Sequence, residues 1–472
     1  MEREPAVVAV TNKKGHKSEA LTALMGAALA LPGINAQAAE QGYRSDQVSF
    51  GYHHTEYKES GDRMSVTADQ LSITVPIGQS LETNFTATKD VTSGASPVVN
   101  FLDGEGKPHQ FLETGASIED QRDIYEGTLS YYGDGSLTSI KLGTSEEDDY
   151  ESNYSNISVK IDINDKLTNL SFGYGHSDDK VWNSYNPNVL LEEPSIFNNR
   201  RKDEFSIGIG QVINRDTILQ FSVTYVNSEG FLSDPYKKSV VVDEALIYSP
   251  ELLHFLGFTD VSDFRDLDNP ILNVAGLFST LTDLGVVQFL NDSGITAALN
   301  KLFDIPEISA FVFGLEKDNR PESRNQIISL LRLSHYFEST NSALHADYRY
   351  SDDDWGVYSH TMELKWNVGL GLGWQVSPGV RYYTQHSAYF YDTFFETIPE
   401  HGYLTSDYRL AGFGAISKKL EISKSFGRDF TLFVHYEEYD RRYDFELGDQ
   451  TNGGELDDYT FSLVSVSFDA SF

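Results

Sequence analysis

The chain contains no cysteine. That excludes disulfide staples and thiolate metal sites, and it suits a polypeptide that crosses an oxidising periplasm unfolded, where stray thiols would form unwanted bridges. Downstream of Ala39 there is also no run of about 18 apolar residues, so no helix is available to span a bilayer. Cations are scarce: 36 Lys and Arg stand against 71 Asp and Glu, a formal net charge of -35. Such a chain is repelled by phosphate backbones, which excludes nucleic acid as a partner, and by anionic membrane surfaces as docking partners. Short enzymatic signatures are missing too, with no Gly-x-Ser-x-Gly elbow, no His-Glu-x-x-His and no phosphate-binding glycine loop. No catalytic residue, cofactor or metal is expected, and the chain reads as a non-enzyme.

What is present is aromatic, acidic and rich in glycine. Aromatic residues make up 13% of the 472 residues, with 27 Tyr, 29 Phe and 37 Gly, while hydrophobic residues reach only 40% and mean hydropathy is -0.36. At the N-terminus Lys13, Lys14 and Lys17 precede an apolar run over residues 20–31, closed by Ala36-Gln37-Ala38. The order basic, apolar, small-x-small predicts a signal peptide over 1–38, cleaved before Ala39, and a mature region over 39–472 that is exported through the periplasm.

Past residue 46 the chain alternates apolar and polar residues in segments of about ten, the period of a half-buried strand. Ile157, Val159, Ile161 and Ile163 form one such row, Leu219, Phe221, Val223 and Tyr225 another, and Phe430, Leu432, Val434 and Tyr436 a third. Short turns, at residues 77–80, 133–135, 164–166, 213–216, 369–371 and 427–429, alternate with long polar connections near 94–121, 177–201, 230–324, 391–408 and 446–457. Short turns at one end and long loops at the other describe an outer-membrane barrel, here an all-β, transmembrane, antiparallel one of about sixteen strands. The last alternating row, Val464, Val466, Phe468, Ala470 and Phe472, resembles the signal read by the barrel-assembly machinery, with Phe468 and Phe472 as its aromatics. Tyr and Phe in excess fit girdles at the lipid headgroups, so outer-membrane lipid and lipopolysaccharide are the expected surroundings.

One connection breaks the strand rhythm. Over 238–319 apolar residues recur at helical spacing, and Ser249-Pro250 and Asn269-Pro270 each place a capping residue before a proline. Leu252, Leu253, Phe255 and Leu256 form one stripe, Leu277, Leu281 and Leu284 another. A helical insertion in an extracellular loop is expected there, as a cap, a plug or a partner surface.

Alternation assigns Lys160, Arg332, Asp347, Arg349, Glu363, Lys365, Arg381 and Glu437 to the lumen face, where fixed charges either set ion preference or pair across the lumen and fill it. His345, His360 and His435 fall on or near the same face, as polar wall residues rather than catalytic ones. The acid runs 146–149 and 352–354 read as solvated loops, since neither has the glycine and terminal glutamate of a calcium loop.

Several motifs carry a family resemblance. They include Gly61-Asp62-Arg63 with Val66-Thr67-Ala68, Thr92-Ser93-Gly94-Ala95-Ser96-Pro97, and Ile118 with Asp120 and Arg122. Further along stand Ser233-Asp234-Pro235-Tyr236-Lys237, Arg320-Pro321-Glu322-Ser323-Arg324, Ser359-His360-Thr361 and Arg381-Tyr382-Tyr383-Thr384-Gln385 with Phe390-Tyr391. Together, over nearly the whole mature chain, they resemble the proteobacterial domain-of-unknown-function family 3570. The resemblance implies an outer-membrane barrel without an assigned substrate. Through relatives encoded beside a small lipoprotein and a periplasmic flavin transferase, it also implies an envelope redox setting with a lipoprotein as partner. Where those relatives hold the Ser-Asp-Pro-Tyr-Lys and Arg-Pro-Glu-Ser-Arg motifs close together, this chain separates them by the 238–319 insertion. Asp120, Arg122, Asp234, Lys237, Arg320 and Arg324 then fall at loop roots, where opposite charges brace the barrel mouth or form a constriction.

Overall fold

In the computed structural model, residues 46–94, 96–102, 108–113, 119–182, 198–235, 237–241, 315–448 and 458–472 are described. The expected signal peptide lies outside them. Strands β1 (Ser49–Glu59), β2 (Met64–Ile77) and β3 (Leu81–Gly94) come first; β4 (Ser96–Leu102) and β5 (Pro108–Glu113) form a separate hairpin. Then follow β6 (Glu119–Gly133), β7 (Ser136–Glu146), β8 (Tyr150–Ile163), β9 (Thr168–Val181), β10 (Asn198–Asn214) and β11 (Thr217–Gly230). A second small sheet pairs β12 (Lys238–Val240) with β13 (Leu315–Lys317). The series continues with β14 (Ser323–Phe337), β15 (Ser342–Asp353), β16 (Tyr358–Gly371), β17 (Trp374–Gln385), β18 (Phe413–Phe426), β19 (Phe430–Arg442) and β20 (Tyr459–Ser471).

All but the two small hairpins join one closed antiparallel barrel of sixteen strands, sealed where β1 pairs with β20, Ser49 opposite Ser471 and Glu59 opposite Phe461. Closure matters because a strand edge in lipid would leave amide groups with no water to bond. The short turns behave as their sequences demand. Asn164, Asp165 and Lys166 all adopt positive φ (54°, 54° and 65°), which Asn and Asp tolerate best. The turn expected at 369–371 lies two residues later, because the register shifts between Gly369 and Gly371 and the reversal falls at Leu372 and Gly373, both at positive φ.

Period two sorts the side chains. The outer rows are apolar and uncovered: Phe85 is 57% exposed, Leu142 61% and Met362 53%, values that make sense only against lipid. Tyrosines mark the upper border of this band. Tyr174 donates its hydroxyl to Asp203 at 2.8 Å, Tyr225 to Asn325 at 2.6 Å, and Tyr348 bonds His360 at 2.8 Å. In each case the ring belongs to the apolar row and its polar tip meets a polar residue, the preference of a headgroup-level aromatic. His360 is therefore on the outer face, contrary to the lumen placement expected for it; it shares the parity of Met362, Leu364 and Trp366. At the lower border Phe468 packs on Phe50 and Phe430, with ring centroids 6.0 and 5.7 Å apart. Phe472 is 78% exposed, its backbone N–H held by the Val48 carbonyl at 2.9 Å.

The helical insertion expected over 238–319 needs correction at both ends. Residues 238–240 and 315–317 are extended and pair antiparallel, Val240 opposite Leu315, so backbone hydrogen bonds between the two ends of the connection take the place of helical ones. The stripes expected to be helical, between them, lie outside the described residues.

Candidate functional site

The inner rows carry the polar face of each strand. Lys160, Arg332, Asp347, Arg349, Glu363, Lys365, Arg381 and Glu437 all belong to these rows, opposite in parity to Ile161, Leu331, Tyr348, Leu364, Val380 and Tyr436. Lys160 stands apart on β8. The rest converge on one stretch of wall, since pairing puts Arg332 opposite Asp347, Asp347 opposite Glu363, and Glu363 opposite Arg381. Arg332 grips Asp347 with both arms of its guanidinium, at 2.8–3.1 Å. Lys419, which the sequence reading omitted, bonds Glu363 at 2.9 Å, and Lys365 lies 3.6 Å from Glu421. Glu437 is wholly buried, with His435 Nε2 3.9 Å from its carboxylate. His345 bonds Ser334 at 2.9 Å.

Above this wall the mouth is built from chain segments far apart in sequence. The connection between β17 and β18, residues 386–412, folds inward rather than standing in solvent. Its residues Tyr408, Leu410 and Ala411 are buried, and Gln385 Nε2 donates to the Arg409 and Ala411 carbonyls at 3.0 and 2.7 Å, pinning it to the inner wall. Tyr408 packs with Phe413, Tyr439, Tyr459, Phe461 and Leu463 in one aromatic cluster on the inside of the barrel. Beneath it Arg441, 1% exposed, lies 3.6 Å from the Phe413 ring centroid and donates to the Tyr408 carbonyl at 2.6 Å. A guanidinium sandwiched this way keeps its charge against aromatic faces while it satisfies a buried carbonyl.

A charge network ties the same connection to both ends of the insertion. Arg320 reaches Asp318 and Asp407, at 2.7 Å each, and Arg409 bonds Asp407 twice through Nε at 2.8–3.0 Å and also Asp234. Lys237 lies 5.0 Å over the Tyr408 ring. Burial alone pushes the Asp407 and Asp234 carboxyls up, but the adjacent Arg409 and Arg320 charges outweigh it and hold both below the usual range. Asp318 goes the other way, raised by burial that Arg320 only partly offsets. Three carboxylates and three cations thus cancel in a largely buried site.

The remaining loop-root residues find partners that sequence order hides. Arg122 bonds Asp90, at 2.5 and 2.9 Å, and lies 3.6 Å from Glu147. Asp120 sits opposite Thr92 in the ladder. Arg324 bonds Asp353 and stacks 4.7 Å over Trp355. Asp353 also accepts the Trp355 and Val357 amides at 3.0 Å each, so the 352–354 acid run is no simple solvated loop: its middle residue is a buried turn anchor. Asp90, Asp318, Asp407 and Arg409 were missed because nothing local marks them; only the two arginines of the 320–324 motif hint that acids must gather there.

No curated protein matches the sequence. Among solved structures, a bacterial polysaccharide outer membrane secretin aligns over 91% of this chain and 100% of its own, with 6% identity and a TM-score of 0.43. The outer membrane protein OpdK from Pseudomonas aeruginosa aligns over 90% and 99%, with 9% identity and a TM-score of 0.38. The siderophore receptor PirA from the same species aligns over 85% and 57%, with 8% identity and a TM-score of 0.36. A family model matches residues 21–462, nearly the whole chain, and by that match the chain belongs to the family described as Protein of unknown function (DUF3570).

Proposed function

We propose that this barrel resides in the bacterial outer membrane, reached by export through the periplasm, and is a non-enzymatic channel that lets small solutes diffuse past its charged wall. The observation that carries the reading is the sixteen-strand closure combined with a polar inner face. A barrel of that circumference is wide enough for an aqueous passage, whereas eight strands would be filled by their own side chains. Arg349, on an inward row, is nevertheless exposed, which requires open space in front of it. Ionic rows along such a passage orient water and select ions by sign. Liposomes containing the purified protein should swell in isotonic solutions of small neutral sugars and not in those of large ones. Equal, negligible swelling with all sugars would count against the channel.

A second reading has its own support. The inward fold of residues 386–412, sealed by buried charge pairs, narrows the extracellular mouth and suits a non-conducting scaffold for a small lipoprotein or an envelope redox partner. The insertion between β12 and β13, read as helical from its apolar spacing, would then supply the partner surface. Capture of one specific lipoprotein from native envelopes, lost when residues 242–314 are deleted, favours that alternative. Barrel assembly is expected to depend on Phe468 and Phe472 in either case.

A further inference from the structure

Two guanidinium groups of the wall have no carboxylate within ion-pair distance among the described residues, and the geometry points to a site for a small oxyanion, a carboxylate or phosphate, held between Arg349 and Arg381. The inference rests on the channel reading for how a solute arrives, though not for whether it binds. Arg349 on β15 and Arg381 on β17 both face inward and are separated by one strand, where Thr361 stands opposite Arg349 and Glu363 opposite Arg381. Their outer neighbours Tyr348 and Tyr382 belong to the tyrosine-bearing upper rows, so both cations lie just inside the mouth.

The surrounding cations are already matched: Arg332 by Asp347, Lys419 by Glu363, Lys365 by Glu421. Among the described residues, neither Arg349 nor Arg381 has an ion-pair or hydrogen-bond partner. Glu363 is committed to Lys419, and Glu437, the one carboxylate left over, is wholly buried beside His435. One carboxylate against two guanidiniums leaves a positive excess in a chain whose net charge is -35.

Above the pair the inward connection forms a roof. Tyr383, the next inner residue after Arg381, donates to Gln385 Oε1 at 2.6 Å, and Gln385 holds the Arg409 and Ala411 carbonyls. Two like charges so placed repel each other, and an oxyanion between them relieves that repulsion while its oxygens accept from the planar donor forks. A lysine pair would supply charge without the fork.

The test uses the full chain folded in detergent, titrated calorimetrically with sodium succinate and, separately, with inorganic phosphate. Wild type is expected to bind at least one, and which one identifies the oxyanion. Arg349→Ala with Arg381→Ala should weaken binding by about tenfold or more, the scale of one lost charge-assisted contact. Arg349→Lys with Arg381→Lys should fall between. Should the double alanine variant fail to fold, Arg349→Gln alone decides, since that side chain already projects into open space; a clear loss of affinity supports the site. No binding of either anion by wild type, or unchanged affinity in a folded Arg349→Gln protein, overturns it. Titration requires no conduction, so a silent bilayer would count against the channel alone, and a conducting protein without binding would remove the site alone.

Discussion

Arg320 and Asp407 lie 87 residues apart in the chain and meet at 2.7 Å, Nη2 to Oδ2, inside the mouth of the barrel. Asp407 is wholly buried and also bonds Arg409, so a single carboxylate fastens the β17–β18 connection to the far end of the insertion. Buried ion pairs stabilise little against an apolar equivalent, yet breaking one strands the partner's charge. The network therefore acts as a fastener whose failure is costly and local.

Asp407→Asn should release that fastener. Arg320 would keep Asp318 and Arg409 would keep Asp234, each having lost one of its two carboxylate partners, a penalty of about 1–3 kcal/mol. Hydrogen exchange is expected to accelerate over residues 404–411 and to stay slow in the barrel ladders. Equal protection in both proteins would mean that the aromatic cluster alone holds the connection.

Acid should open the mouth only below the ordinary carboxylate range. The Asp407 and Asp234 carboxyls are depressed in the fold, so their stabilisation is complete above the unfolded value of about 3.9 and is lost as the pH falls beneath it. Asp318 is raised, so it takes up its proton earlier and that step favours the fold. Arg320, Arg409 and Lys237 stay protonated throughout this range. Near-ultraviolet circular dichroism, which senses the Trp355 cluster packed beneath Leu410, should be unchanged from pH 7 to 5 and should weaken near pH 3. Loss already at pH 5 would place control in another group.

Arg441→Met should loosen the same connection from below. It keeps apolar volume against Phe413 but leaves the Tyr408 carbonyl with only the Ala411 N–H at 3.3 Å in place of its 2.6 Å charged donor, a loss of about 1–2 kcal/mol. Cleavage within 386–412 by added protease is expected to quicken in Arg441→Met while the barrel itself stays resistant. An identical cleavage rate would show that the ring contacts suffice.

Gly230→Ala tests the root of the insertion. Gly230 has φ of 102°, and a Cβ there would stand 2.4 Å from the Asn199 carbonyl oxygen, a backbone atom that cannot swing aside. The variant should reach the folded, heat-resistant form in markedly lower yield than wild type. The matching change at Gly427, also at positive φ but with nothing near its Cβ, should do so less.

Much of the barrel was legible because its code is local. Rows such as Ile157 to Ile163 state their own parity, and from parity followed the inward facing of Arg332, Arg349 and Arg381. His360 was misjudged for want of the same rule, since it continues the Met362 row above the apolar band where a polar residue meets headgroups. The mouth was not legible, for its bonds depend on register and on chain returns. Arg122 finds Asp90 only once β3 and β6 are aligned, and no spacing in the chain links Asp407 to Arg320. The insertion misled at its ends, because residues 238–240 and 315–317 are held by each other rather than by their own periodicity.

The most direct test of the channel is single-channel recording from the purified full-length protein in a planar bilayer. Discrete, reproducible current steps that persist over a range of voltages are the predicted result. A bilayer that stays silent, although the inserted protein is shown to be folded, would contradict it.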